Sequence, residues 1–245
     1  MSEKITSDGN PTDEPCNTGT SYELDLKNKE LRAKTNTKIV YYYDALCGWC
    51  YGFSPVIKEI VEKYEDQIAI EVVSGGLFTG ARVGKINEVA PYIKEGAYKF
   101  VEERTGVIFG KDFLKIVFGN GDMVLDSLYP SIALSIVKDK KPEKQFEFAE
   151  ILLKAFYNDG LSATNLKGYL KYTRRVGLDD VDFLESMELP VYHKAASDDF
   201  VLFKSANLSG MPSIVLQTKD KQQLISNGYV SSAELILKLN KELQL

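Results

Sequence analysis

The sequence predicts an α/β fold in which a small sheet carries helices and is interrupted by a large all-helical insertion. Three observations predict it. Residues 38–73 read β-α-β, residues from about 87 to 204 carry almost only helical signals, and the end of the chain reads β-β-α. If the two outer pieces share one sheet, the middle must be an insertion. The chain therefore divides into an N-terminal tail (1–36), a first part of the sheet domain (37–80), a helical insertion (81–204) and a second part of the sheet domain (205–245).

The tail is polar, with Gly9, Pro11, Pro15 and Gly19, and carries one short helical pattern from Tyr22 to Leu31. Lys38–Tyr43 is a β run, Gly48 to Tyr64 a helix, and Ile68–Val73 a strand that alternates Ile68, Ile70 and Val72 against Ala69, Glu71 and Val73. Ser74-Gly75-Gly76 then ends the strand. Helical spacing follows over Glu88–Glu103, Asp112–Phe118, Ser127–Lys138, Pro142–Tyr157, Ala163–Arg175 and Asp180–Met187. Asp126, Ser127 and Ser162 are suited to N-caps, and Gly106, Gly160 and Gly177 to C-termini. The stripe Phe146, Ala149, Leu153 and Phe156 reads as core. Ser213–Gln217 and Gln223–Ser226 are strands, and Ser231 or Ser232 caps a last helix through Glu242.

The 245 residues carry a net charge of −5 and no basic stripe, which argues against nucleic acid or an anionic membrane as partner. Three cysteines are too few for a disulfide-stapled secreted domain. No apolar run is long enough to span a bilayer, and the first residues lack a signal-type apolar core, so a cytoplasmic location is expected. Cys16 lies in the polar tail, where nothing would lower its pKa, and reads as incidental.

The chemistry concentrates in Cys47-Gly48-Trp49-Cys50, at the junction of the first strand and first helix. Two thiols at this spacing on a helix start can close a disulfide. Cys47 meets the unpaired N–H groups and the positive end of the helix dipole, which favour the thiolate and mark it as nucleophile. Cys50, one turn further in, resolves the mixed disulfide. Gly48 frees the backbone beside the nucleophile, and Trp49 offers an apolar face without charge.

With this motif in the first βα turn and β-β-α at the end, the chain resembles the thioredoxin superfamily, and the helical insertion resembles its DsbA-like branch. Asp44-Ala45-Leu46-Cys47-Gly48-Trp49-Cys50-Tyr51-Gly52-Phe53-Ser54-Pro55 is similar to the intracellular predicted disulfide isomerases related to FrnE-like proteins. Val72–Gly80, Pro130–Leu134 and Gly210–Ser213 extend the similarity over residues 38–243. The resemblance implies a thioredoxin fold and a protein-disulfide oxidoreductase or isomerase with no resident cofactor. It also implies a cis peptide at Met211-Pro212 facing the dithiol, with Met211, Pro212 and Trp49 contacting substrate. Glutathione is an admissible co-substrate. The implied partners are protein or small-molecule disulfides and a recycling thiol reductant, and the protein is expected as a monomer or homodimer. Pro55 matches the proline inside the active-site helix. One position departs from the pattern: Tyr41 stands six residues before Cys47, where thioredoxins carry a buried acid. Asp44 is the nearest carboxylate, and either relays protons or shapes the turn.

Other chemistries have weaker support. Gly80–Ile86 looks like a phosphate loop but has three residues between its glycines and Ile86 where Ser or Thr is needed; it is read as a groove wall offering Arg82 to an acidic group. His193 is the only histidine, so no four-ligand zinc set assembles within one chain, which leaves zinc or copper(I) bridged between two subunits by the dithiols as the metal alternative; a hydrolytic triad is unsupported, and His193 reads as a surface or boundary residue. Asp179-Asp180 and Asp198-Asp199 read as helix-start or solvated charges. Two competing functions remain: a glutathione-dependent transferase or isomerase of the kappa or 2-hydroxychromene-2-carboxylate isomerase type, and a non-enzymatic, chaperone-like binding protein.

Overall fold

The computed structural model describes residues 37–244. The predicted helix at Tyr22–Leu31 and Cys16 lie outside the described residues. Strand β1 (Lys38–Tyr43) enters helix α1 (Gly48–Tyr64), which returns to strand β2 (Ala69–Ser74). β1 pairs with β2 in parallel, as a crossover helix requires. The chain's last segment supplies β5 (Ser213–Gln217), antiparallel to β1, and β6 (Gln222–Asn227), antiparallel to β5 with an irregularity between Ile214 and Val215. The sheet order is β2-β1-β5-β6, so the two sequence halves meet in one four-stranded sheet, as predicted.

β1 reads as a continuous apolar run because both of its faces are covered. Ile39, Tyr41 and Tyr43 enter the main core, whereas Val40 and Tyr42 join Val73 and Val215 in a second cluster. That second face is closed by Phe203 and Ala206, from and just after helix α9 (Pro190–Ser205). On the main face α1 buries Phe53, Ile57 and Ile60 completely. Each such side chain contributes about 2 kcal/mol of apolar burial. Pro55 sits inside α1 and has no N–H to give Tyr51; the Ser54 hydroxyl donates to that carbonyl instead, at 2.8 Å. Helix α10 (Ser232–Leu243) is capped by Ser231 and tied to α1 by Tyr64, whose hydroxyl donates to Asn240 at 2.6 Å.

Between the halves lie α2 (Ile86–Val89), α3 (Ala97–Thr105), α4 (Lys111–Phe118), α5 (Leu128–Lys140), α6 (Gln145–Tyr157), α7 (Leu166–Thr173), α8 (Asp180–Met187) and α9. Several expectations need correction. The helix predicted over Glu88–Glu103 is broken, because Pro91 opens a 3-10 turn (Pro91–Ile93) and Gly96 takes φ 116° before α3. The insertion is not wholly helical: β3 (Gly84–Lys85) and β4 (Val124–Leu125) form a short antiparallel ladder. Ser162 does not cap α7, because its hydroxyl accepts the Val124 N–H; Asn165 is the cap, accepting from Gly168. Asp199 is not a solvated charge. It is half-buried in α9, paired with Lys138 at 3.2 Å, and accepts the Ser74 N–H at 3.1 Å. Asp179 does cap α8, and Asp180 and Asp198 pair with Arg174 and Lys194. His193 is partly buried against the Met187 carbonyl at 2.8 Å, a boundary residue as read.

No helix among the described residues is long and apolar enough to cross a membrane.

Candidate active site

Cys47 is the N-cap of α1, in extended backbone at φ −94° and ψ 111°, and its N–H donates to the Asp44 carbonyl at 3.0 Å. The sharp exit from β1 thus places its sulfur where the first helical N–H groups point. Both cysteines are unbridged; Cys47 retains 7 % exposure and Cys50 none. A hydrogen bond from the Cys50 thiol holds the Cys47 pKa below the ordinary thiol value, helped by the N–H groups of Cys50 and Trp49 and opposed by burial. Burial pushes Cys50 in the opposite direction, well up, and its interaction with Cys47 adds to the rise. The two thiols are therefore unequal before any substrate arrives.

This asymmetry predicts the pH profile of alkylation. Cys47 should react with iodoacetamide at a rate that is flat above its own pKa and falls tenfold per pH unit below it. Its inflection should lie below the free-thiol value of about 8.5. An inflection at or above that value would remove the ground for Cys47 as the nucleophile.

The Met211–Pro212 peptide is cis and lies against the dithiol, where the resemblance puts it. Cys47 Sγ donates to the Met211 carbonyl at 3.7 Å, across 164 residues of sequence. Gly75 makes that approach available. A Cβ on Gly75 would stand 2.0 Å from Met211 Sδ and 2.7 Å from its Cε. Gly75→Ala is therefore expected to displace Met211, costing about 1 kcal/mol of stability and lowering the disulfide-exchange rate roughly tenfold through misplacement. Stopped-flow exchange beside urea denaturation checks both; an unchanged rate would detach Met211 from the reaction.

Asp44 is buried, and its carboxylate is fully occupied. Oδ1 accepts from Leu46 N–H at 2.9 Å and the Ser127 hydroxyl at 3.0 Å, and Oδ2 from Leu77 N–H at 2.8 Å. The Gly76 N–H also favours its charged form, yet burial outweighs these bonds and raises its pKa. Ser127 is consequently not the conventional cap expected of it: its hydroxyl joins Asp44 to the Phe78 N–H, at 2.9 Å, while Asp126 accepts from Leu128.

Tyr41 is buried at the centre of the sheet, between Val72 and Ile214. Its hydroxyl lies beside the Cys50 sulfur without the geometry of an ordinary hydrogen bond to any described group. Burial, then the nearby cysteines, raise its pKa well above the usual phenol value, so it stays protonated. It cannot replace the missing acid as a base.

Trp49 packs edge-on against Phe100 of α3, with ring centroids 5.8 Å apart. Gly48 lies against Phe109 and Tyr157, at 3.6 and 4.0 Å from the position of an added Cβ. The Tyr157 hydroxyl donates to the Leu46 carbonyl, pinning the turn before Cys47 to α6. Cys47, Trp49 and Met211 form one wall of a cavity of about 490 Å³ closed by residues of the insertion. Nothing in the sequence marks Tyr157, Phe109 and Phe100 as site residues, and Ser127 reads there only as an N-cap. The density of aromatic residues in the insertion was the available signal, but such stripes read equally well as core. Arg82 does not line this cavity, contrary to expectation; its guanidinium lies over the Phe78 ring, 5.2 Å from the centroid.

Residues 38–235 match the DSBA-like thioredoxin domain family. Among solved structures, a candidate protein disulfide isomerase from Nitrosomonas europaea superposes with a TM-score of 0.74 at 23 % identity, covering 85 % of this chain and 98 % of the other. The cytosolic disulfide reductase DsbM from Pseudomonas aeruginosa, in a structure with GSH, superposes with a TM-score of 0.67 at 19 % identity, covering 85 % of this chain and 100 % of the other. At such identities these likenesses concern the fold. The ClpXP adapter protein SpxH of Halalkalibacterium halodurans is 20 % identical over 203 residues, 80 % of this chain; the match spans 63 % of that relative's length.

Proposed function

Because the chain belongs to the DSBA-like thioredoxin domain family, a family of disulfide oxidoreductases, we propose that it is a cytoplasmic thiol–disulfide reductase or isomerase working through the Cys47–Cys50 dithiol. The observation that carries this reading is the inequality of the two thiols: one at the helix cap with a lowered pKa, the other fully buried with a raised one.

The Cys47 thiolate attacks a substrate disulfide, forming a mixed disulfide and expelling the first thiolate, which takes up a proton. Cys50 loses its proton and attacks the Cys47 sulfur; the intramolecular disulfide closes and the second thiolate leaves. Two equivalents of an external thiol reductant restore the dithiol, and glutathione is one reductant that would serve. Met211 and Pro212 hold the substrate backbone beside Cys47, and Trp49 covers it. Asp44 and Gly48 set the turn, while the Tyr41 hydroxyl, beside Cys50, would have to turn to donate to its sulfur as charge develops there.

Equilibration in glutathione redox buffers, read by the fraction of Cys47–Cys50 disulfide, tests the proposal alongside catalysis of insulin reduction. A reversible intramolecular disulfide with turnover is expected. A disulfide that never forms overturns the reading.

A further inference from the structure

The cavity beside Cys47 has a chemical character that the dithiol alone does not require. Eighteen residues line its roughly 490 Å³; seven are aromatic and none is charged. They come from both sides of the site: Trp49 and Met211 from the sheet domain, Tyr98 and Phe109 from the insertion, and Phe203 from α9. The volume falls in the range that encloses a whole small molecule. Cys47 is part of the wall and 7 % exposed, so a group carried on the sulfur that it attacks meets the apolar lining of the cavity. Cationic groups lie outside. Arg104 lines an adjoining groove that shares Trp49, Phe100 and Met211 with the cavity, and Arg82, near Tyr92, lies over the Phe78 ring; neither is part of the lining. A carboxylate seated in the cavity itself would be desolvated against a lining that offers no cation.

We infer that the substrates of this site are low-molecular-weight disulfides bearing an aromatic or branched apolar group on the sulfur that Cys47 attacks, with that group seated in the cavity. This rests on the dithiol reading above and names its substrate class. Cys47 thiolate bonds to the sulfur bearing the apolar group R, and the S–S bond breaks with R′S⁻ as leaving group. Cys50 thiolate then attacks Cys47 sulfur and releases RS⁻. The dithiol is oxidised by two electrons and RSSR′ is reduced to two thiols, each taking one proton.

The test is a single turnover with fully reduced protein, which needs no recycling partner. The substrates are 2-pyridyl mixed disulfides of phenylmethanethiol, of 2-sulfonatoethanethiol, of glutathione and of a cysteine in an unfolded polypeptide. Release of 2-thiopyridone is followed by absorbance, and each rate is divided by that of N-acetylcysteine with the same compound. The benzyl compound should exceed the sulfonatoethyl one on the order of thirtyfold, the gain expected for burying one such group. Ala97→Phe, which fills the cavity from α3, should bring that ratio towards one; Leu208→Phe serves the same purpose if the first variant does not fold.

The inference is overturned if the glutathionyl or polypeptide compound matches or outruns the benzyl compound on the normalised scale. A benzyl preference that survives in a folded, cavity-filled variant overturns it equally. Absence of reaction with every compound would defeat the dithiol reading itself, which separates the two failures.

Discussion

Cys50→Ser protein is expected to accumulate a stable mixed disulfide at Cys47, while Cys47→Ser protein forms none. The largest contribution lowering the Cys47 pKa is the hydrogen bond from the Cys50 thiol, and a serine hydroxyl can also donate there. The helix N–H groups are untouched, so the first step survives. The second step is lost, because an alcohol does not displace a thiolate. Turnover should fall on the order of 10³-fold in either variant, as expected when one member of a reacting unit is removed. The variants differ in what remains attached. Intact-mass spectrometry after one turnover should show Cys50→Ser carrying one substrate half. Cys47→Ser should stay unmodified, since its remaining active-site thiol is fully buried and hard to ionise. Both are best made with Cys16→Ser, so that the third cysteine of the chain cannot capture the label. An adduct on Cys47→Ser and none on Cys50→Ser would reverse the assignment of the two sulfurs.

The parts of the site legible in the sequence are those that local geometry determines. Cys47 and Cys50 stand on one helix start, and a strand run feeding a capped helix was enough to place them with the observed boundaries of β1 and α1. Ser213–Gln217 is legible for the same reason. What was not legible depends on distance in sequence. The Asp44 carboxylate is satisfied by groups 33 and 83 residues away, and nothing in Asp44-Ala45-Leu46 announces them. Met211-Pro212 was placed opposite the dithiol by resemblance alone, since an X-Pro pair is ordinarily trans. The aromatic cavity does not stand out in the sequence because Tyr98 and Tyr157 sit in helical patterns that also suit a core and Phe109 lies in the connection between two helices; the three pack on one another while lining the cavity. Asp199 departs from its sequence reading for a related reason. It sits beside Asp198 on the α9 surface in sequence, but the Lys138 ammonium comes from α5, and only the folded chain brings the two together.

Asp44→Ala is expected to be the most damaging single change outside the cysteines, and to act through the fold rather than through proton transfer. Alanine would strand the N–H groups of Leu46 and Leu77 and the Ser127 hydroxyl in a buried site. At about 1–3 kcal/mol for each unsatisfied group, the loss is about 4 kcal/mol, a large share of the 5–15 kcal/mol that holds a domain together. For a chain of this size that corresponds to a fall in melting temperature of roughly 10 °C. The damage should be coupled to Ser127. With Asp44 gone, Ser127→Ala should cost much less than it does alone, because the hydroxyl's acceptor has already been removed and only the Phe78 N–H remains to lose. A double-mutant cycle by urea denaturation reads this directly. Activity separates the two roles proposed for the carboxylate. If Asp44 only shapes the turn, Cys47 alkylation and disulfide exchange should decline together in whatever fraction of Asp44→Ala stays folded. If it relays a proton to or from Cys50, alkylation should persist while resolution of the mixed disulfide slows by itself. The saturated hydrogen bonding of the carboxylate leads us to expect the first outcome, and a selective loss of the resolving step would establish the second.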